Sequence, residues 1–160
     1  MNKKINPEHI NKVIEMMNAS PFLSNMKMRI VSMEEGITEM EADMNPGFLN
    51  PFGGVHGGVY ATMIDTACYW AAYCDIDENV VYTSVDLSVT NLAYIKGRKL
   101  YCTGRVIRTG RTIGLSEETI KDENGVLLAH GTSKILKMEG RQTMKQAAEV
   151  MGISLPPKYL

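Results

Sequence analysis

The chain has 160 residues, 44% of them apolar, with 17 basic and 18 acidic side chains and a net charge of −1. That size suits one domain with a sizeable core, and the charge balance argues against bulk nucleic-acid binding, which shows as a basic excess. The three cysteines, Cys68, Cys74 and Cys102, give neither a disulfide framework nor a zinc spacing and read as buried, reduced thiols.

At the N-terminus, residues 1–17 have apolar positions interrupted by charges, which is not a signal-peptide pattern. No apolar run reaches the ~18 residues of a membrane span, so a cytoplasmic protein without membrane contact is expected. A single domain over residues 1–160 follows, with a core at about 26–138 and short helices at about 7–18 and 142–151.

The first helix has Asn6 as cap, Pro7 in its first turn, and Ile10, Val13, Ile14 and Met17 at helical spacing. Ser20-Pro21 ends it. Met26, Met28 and Ile30 then alternate with polar residues, predicting a strand. Glu34-Glu35-Gly36 turns the chain into a second strand up to about Met44. A Gly/Pro loop runs from Asn45 to about Val55, and a helix from about His56 to Cys74. Four further strands are predicted: Val81–Leu92, Leu100–Arg108, Thr112–Lys121 and Val126–Met138. On the first of them Val85, Leu87 and Val89 share one face, and Ser84, Asp86, Ser88 and Thr90 the other. Thr109-Gly110 and Asn124-Gly125 mark hairpin connections. Thr143 and Gln146 have capping-box spacing for a last small helix, which Gly152 can stop. A loose Pro-Pro tail is expected after it. The pattern is an α+β protein: an antiparallel sheet, formed by a first hairpin and a four-stranded meander, around one central helix.

The stretch Asn45–Cys74 carries one formal charge in 30 residues, Asp65. Its helix is apolar nearly all round, so either the sheet curls about it or a second subunit covers the rest. A carboxylate there costs several kcal/mol unless it is paired, and none of Ala61, Thr62, Cys68 and Tyr69, one turn away, is basic. At the helix start, His56-Gly57-Gly58 offers free backbone N–H groups, a positive dipole end and room for close approach. Such a terminus can polarise a carbonyl oxygen. His56 can exchange a proton with a leaving group, and Asn50 lies in a loop that can fold over the same place. Gly57 and Asp65 are eight residues apart, about 12 Å along one helix. They can act on one carbonyl only if two copies of the helix run antiparallel across a two-fold axis.

Asn50, Gly53, His56-Gly57-Gly58 and Asp65, followed by Thr66-Ala67, match in residue and spacing the pattern of hotdog-fold acyl-CoA thioesterases of the phenylacetic-acid-degradation type, and the chain resembles that family over about residues 26–138. The resemblance implies a hotdog fold, a curled antiparallel sheet of about six strands around one long helix. It implies hydrolysis of an acyl-CoA, with coenzyme A entering as part of the substrate and no separate cofactor or metal. Gly57 N–H would polarise the thioester carbonyl, Asp65 of the other subunit would be nucleophile or base for water, and Asn50 and His56 would position substrate and thiolate. A Ser or Thr after the helix would orient the water; Ser84 and Thr83 are the candidates. Gly58, Arg108, Gly110 and Arg111 would hold the coenzyme A part. Of the 17 basic groups, six lie within Lys96–Arg111, a cluster that reads equally as a solvated edge. A homodimer or a dimer of dimers, with intersubunit sites, is implied. A non-catalytic acyl-CoA or acyl-carrier binding module on the same fold is the alternative, and a hydratase a third.

Overall fold

The computed structural model describes residues 4–139 and 142–160; of the N-terminal stretch read above as no leader, residues 1–3 lie outside it. Two helices open the chain, α1 (Pro7–Asn18) and α2 (Pro21–Met26). The Asn6 side chain accepts from Glu8 N–H at 3.0 Å, capping α1 as its sequence predicts. Pro21 begins α2 where only a break was expected, because proline suits the first turn of a helix. Lys27, at φ 52°, then ends α2 in the left-handed conformation, so Met26 closes a helix and does not start the first strand.

Six strands follow around the central helix: β1 (Met28–Glu34), β2 (Ile37–Asp43), α3 (Gly57–Ala71), β3 (Val80–Asn91), β4 (Lys99–Thr109), β5 (Ile113–Asp122) and β6 (Leu127–Glu139). They form one sheet in the order β1-β2-β4-β5-β6-β3, antiparallel throughout. The expected four-stranded meander is therefore wrong in one respect. β4, β5 and β6 do meander, but β3 pairs with β6 at the far edge and β4 returns to pair with β2. The helix sets this order: α3 crosses the sheet after β2 and delivers the chain to the opposite edge.

The concave face holds α3. Gly104 on β4 lets it in, since a Cβ there would stand 2.8 Å from the Ala67 carbonyl oxygen. Gly131 on β6 does the same for Ile64, whose methyl would be 2.8 Å from such a Cβ. Met63, Ile64, Ala67 and Cys68 are fully covered, and all three cysteines are buried free thiols. Cover is not complete on every side. Thr62, Asp65, Thr66 and Tyr69, spaced along one face, are only half-buried in the protomer. The free edge strand β3 is exposed on both faces from Thr83 to Ser88.

The C-terminal helix α4 (Met144–Val150) has the predicted capping box, formed between Thr143 and Gln146. The tail beyond it is not loose. Asn6 N–H donates to the Lys158 carbonyl at 2.9 Å, and the Asn6 amide donates to the Pro157 carbonyl at 2.9 Å. His9 Nδ1–H donates to the Pro156 carbonyl at 2.7 Å, which leaves Nε2 of the neutral ring to accept from the Tyr73 hydroxyl at 2.7 Å. Burial holds His9 below its ordinary pKa and so keeps it neutral. Lys158 is buried, its ammonium donating to the carbonyls of Tyr73 at 2.7 Å and Ile76 at 2.6 Å beyond the end of α3. A cation at a helix C-terminus meets the negative end of the dipole. No helix among the described residues is long and apolar enough to cross a membrane.

Candidate active site

The loop before α3 is closed by its own side chains. Asn50 Oδ1 accepts from Phe52 N–H at 2.9 Å and from Gly54 N–H at 3.2 Å, an Asx-type turn. Gly53, at φ +81°, takes the left-handed conformation that this turn requires. Phe48 is buried, and its carbonyl accepts from His56 N–H at 2.8 Å, fixing the point where the helix begins.

His56 caps α3 in an unusual way. Its Nδ1 accepts from Gly58 N–H at 2.9 Å. The neutral ring therefore carries its proton on Nε2, which stands outside the helix as a donor. Capping also takes Gly58 out of play as an N–H donor. Gly57 N–H keeps no acceptor among the described residues and is the free donor of the terminus. The two glycines thus differ: Gly58 N–H is bound by the cap and Gly57 N–H is not. Beside Gly57 lies the Asn91 side chain, whose Nδ2 is 3.2 Å from the place a Cβ on Gly57 would occupy. Asn50, Gly54, Gly57, Tyr60 and Asn91 line a cavity of about 590 Å³ here, with Phe52 and Tyr94 at its exposed rim. Asn91 was missed in the sequence. Its signal was there: it continues the apolar face of Leu87 and Val89, where a polar side chain is out of place.

Asp65 lies two turns away, about 12 Å along the helix. Its carboxylate forms no hydrogen bond or ion pair with another described residue, and the neighbouring Thr66 hydroxyl turns back to the Thr62 carbonyl at 2.8 Å. The half-buried stripe that carries Asp65 ends at Tyr69.

Ser84 corrects the face assigned to it. Strand alternation put it with Asp86, on the polar face. The β3–β6 pairing carries a bulge: Ser84 opposes Ile135, Asp86 opposes Lys134, and Val85 is the extra residue. Opposed residues share a face, and Ile135 is buried on the helix side. The bulge thus brings Ser84 onto the concave face with Leu87 and Val89. Thr83, opposite Leu136, is on the other.

Arg108, Gly110 and Arg111 occupy the exposed end of the β4–β5 hairpin, where Gly110 N–H donates to the Ile113 carbonyl at 2.9 Å. That hairpin stands at the Ser84 end of the sheet, since Gly114 and Ser84 both oppose Ile135. Asn91, beside Gly57, is seven residues further along β3, about 23 Å at a strand's rise. One protomer therefore joins Asn50, His56, Gly57 and Gly58 at one end and holds Ser84, Arg108, Gly110 and Arg111 at the other.

A cluster that the sequence did not reveal lies under α3. Glu118 is fully buried on the concave face of β5, its Oε1 accepting from the Ser116 hydroxyl at 2.5 Å and its Oε2 without a partner. Burial pushes its carboxyl up to about 8, against the smaller opposing effect of the Ser116 hydrogen bond; Glu117 and Asp65 add like charge. Burial also raises the Cys68 thiol to about 11, so both groups beneath the helix favour the protonated form at neutral pH.

Residues 52–129 match the model of the thioesterase superfamily. Human acyl-coenzyme A thioesterase 13 is 27% identical over 107 residues, 66% of this chain and 76% of the relative. The solved structure of zebrafish thioesterase superfamily member 2 superposes with a TM-score of 0.70 at 26% identity, covering 79% of this chain and 96% of that one. A thioesterase from Haemophilus influenzae, at 18% identity, shares the fold with a TM-score of 0.78 over 89% of this chain and 98% of its own. With its curled six-stranded sheet around one long helix, the chain has the hotdog fold of these thioesterases, and residues 52–129 are similar to the thioesterase superfamily.

Proposed function

We propose that this protein hydrolyses acyl-CoA thioesters to a free acid and coenzyme A, at sites that two copies of the chain share. The superfamily supports thioester hydrolysis in general; the residues and the assembly are our reading. The observation that carries it is the division of α3: a free Gly57 N–H at its start, and an unpartnered Asp65 two turns on, along a face the protomer leaves half open. The exposed edge of β3 supports a second copy there, since an unpaired strand edge is a pairing template.

In this reading Gly57 N–H of one copy receives the carbonyl oxygen as it gains negative charge. Asp65 of the other copy attacks the carbonyl carbon, or takes a proton from the water that does. The carbon–sulfur bond then breaks, and the sulfur leaves as thiolate; where Asp65 itself attacked, water then cleaves the acyl–Asp65 anhydride, releasing the acid and restoring the carboxylate. His56 Nε2–H is placed to donate to the thiolate, and Asn50 holds the loop that carries His56. Ser84 and the Arg108–Arg111 hairpin share one end of the sheet, so the copy supplying Asp65 would also supply the water-orienting hydroxyl and the cations for the coenzyme A phosphates. Gly58 lets those groups approach the helix start. Three free, buried cysteines support a reducing, cytoplasmic setting.

The test is thiol release from a panel of acyl-CoAs by wild type and Asp65→Asn. The variant is expected to fold, to bind, and to lose at least about a hundredfold in turnover. Equal rates would refute Asp65 as the catalytic group, and a wild type silent on every substrate would favour the binding module. A fully active monomer in analytical ultracentrifugation would refute the shared site.

A further inference from the structure

A second cavity, of about 470 Å³, lies past the C-terminal end of α3, between the start of β3 and the anchored tail. Tyr69, Val81, Met144, Ala148 and Leu155 contribute apolar wall, and Lys158 closes one side. Two observations connect it to the site already described. First, Tyr69 belongs both to this cavity and to the half-open stripe of α3, one turn beyond Asp65, about 6 Å along the axis. Secondly, part of the lining comes from residues 143–158, beyond the stretch matched by the superfamily model. The tail that supplies them is pinned at Asn6, His9 and Lys158. The cavity is thus preformed, as small-molecule sites usually are, and its volume falls in their ordinary range.

We infer that the α3–tail cavity receives the far end of the acyl group, so that the C-terminal segment selects for acyl chains long enough to pass Tyr69. The inference rests on the thioesterase reading above, with the carbonyl carbon at Asp65. From there an acyl group directed along α3 toward its C-terminus meets Tyr69 and then the apolar wall of Val81, Ala148 and Leu155. A short acyl group ends before Tyr69 and does not touch the tail. The favoured class is therefore a medium or long aliphatic or arylalkyl acyl-CoA. The lining also has a substantial polar part, Asp77, Glu78, Lys145 and Glu149 among it, which suits a rim better than a terminus for hydrocarbon.

The test narrows and widens the cavity in the full-length protein. Ala148→Trp adds bulk from α4, and Leu155→Ala removes it from the tail. The readout is the ratio of kcat/KM for dodecanoyl-CoA to that for butanoyl-CoA. Ala148→Trp should lower this ratio at least tenfold, and Leu155→Ala should raise the ratio for hexadecanoyl- over butanoyl-CoA severalfold. A purely structural role of the tail would move all chain lengths together. Should Ala148→Trp lose its fold by circular dichroism, Leu155→Ala decides alone. An active wild type with unchanged ratios overturns this inference and leaves the thioesterase reading standing. A wild type inactive on every acyl-CoA overturns both.

Discussion

Replacing Glu118 by Gln should reshape the pH dependence of stability. The folded protein holds this carboxyl at about 8, against an ordinary value of 4.5. Between those values the native state keeps the proton and the unfolded chain has released it. Stability must then fall as pH rises, by about 1.4 kcal/mol per pH unit. Over the whole window this comes to at most about 5 kcal/mol, comparable with the total stability of a marginal domain. Above pH 8 both states are ionised and the slope vanishes. The groups around Glu118 do not mask this: burial raises Cys68 to about 11 and holds Cys102 well above the ordinary thiol range. Ser116 is uncharged, and Glu117 lies on the outer face, half-exposed and 3.6 Å from His130 Nε2. Gln cannot ionise, but its Oε1 still accepts from Ser116, and its extra N–H, facing the place of the unpartnered Oε2, costs about 1–2 kcal/mol. The variant should be less stable than wild type at pH 5 by at most about 1 kcal/mol, cross it between about pH 5 and 6, and exceed it by about 3 kcal/mol at pH 8.5. Urea unfolding at fixed protein concentration across pH 5–8.5 measures the difference. Parallel profiles for the two proteins would refute the buried, protonated state of Glu118.

Lys158→Met keeps the length of the side chain and removes its donors from the carbonyls of Tyr73 and Ile76. It should cost about 2–3 kcal/mol and make the tail the first site of limited proteolysis; an unchanged midpoint and cleavage pattern would show that the ammonium does not hold the tail. Ser84→Ala should lower kcat about tenfold or more, and Thr83→Ala should have little effect, because the bulge at Val85 turns only Ser84 to the concave face. The reverse order in steady-state kinetics would refute that placement.

The parts of the fold fixed by local chemistry were legible in the sequence. Asn6, Thr143 and the Asn124-Gly125 turn mark element ends through side-chain and backbone preferences that act within a few residues. The glycines and His56 likewise located the start of α3 and its free backbone N–H. What was not legible depends on partners distant in sequence. The edge position of β3 follows from the path of α3 across the sheet. The bulge at Val85 arises from register with β6, and it alone decides between Ser84 and Thr83. Glu118 sits on a strand with polar residues on both faces, Ser116 and Glu118 inward, Glu117 and Thr119 outward, so alternation could not say which was buried. The tail looked loose because two prolines and no apolar period gave it no structure of its own. Its order comes from Asn6 and His9, nearly the full length of the chain away.

The buried groups around α3 bear on Asp65 as much as on stability. A carboxylate on a half-open face is tolerable while water reaches it, and becomes costly once a second copy closes that face. Two features reduce the cost. The neutral state of Glu118 and Cys68 keeps further negative charge from beneath the helix. In an antiparallel pair, the arriving surface would bring the N-terminus of the other α3, whose free Gly57 N–H and positive dipole end favour an anion. Assembly would then remove water from Asp65 and supply the electrostatic partner that the protomer lacks in a single step. The isolated chain keeps donor and acid about 12 Å apart, so the shared-site proposal requires that they come from two copies.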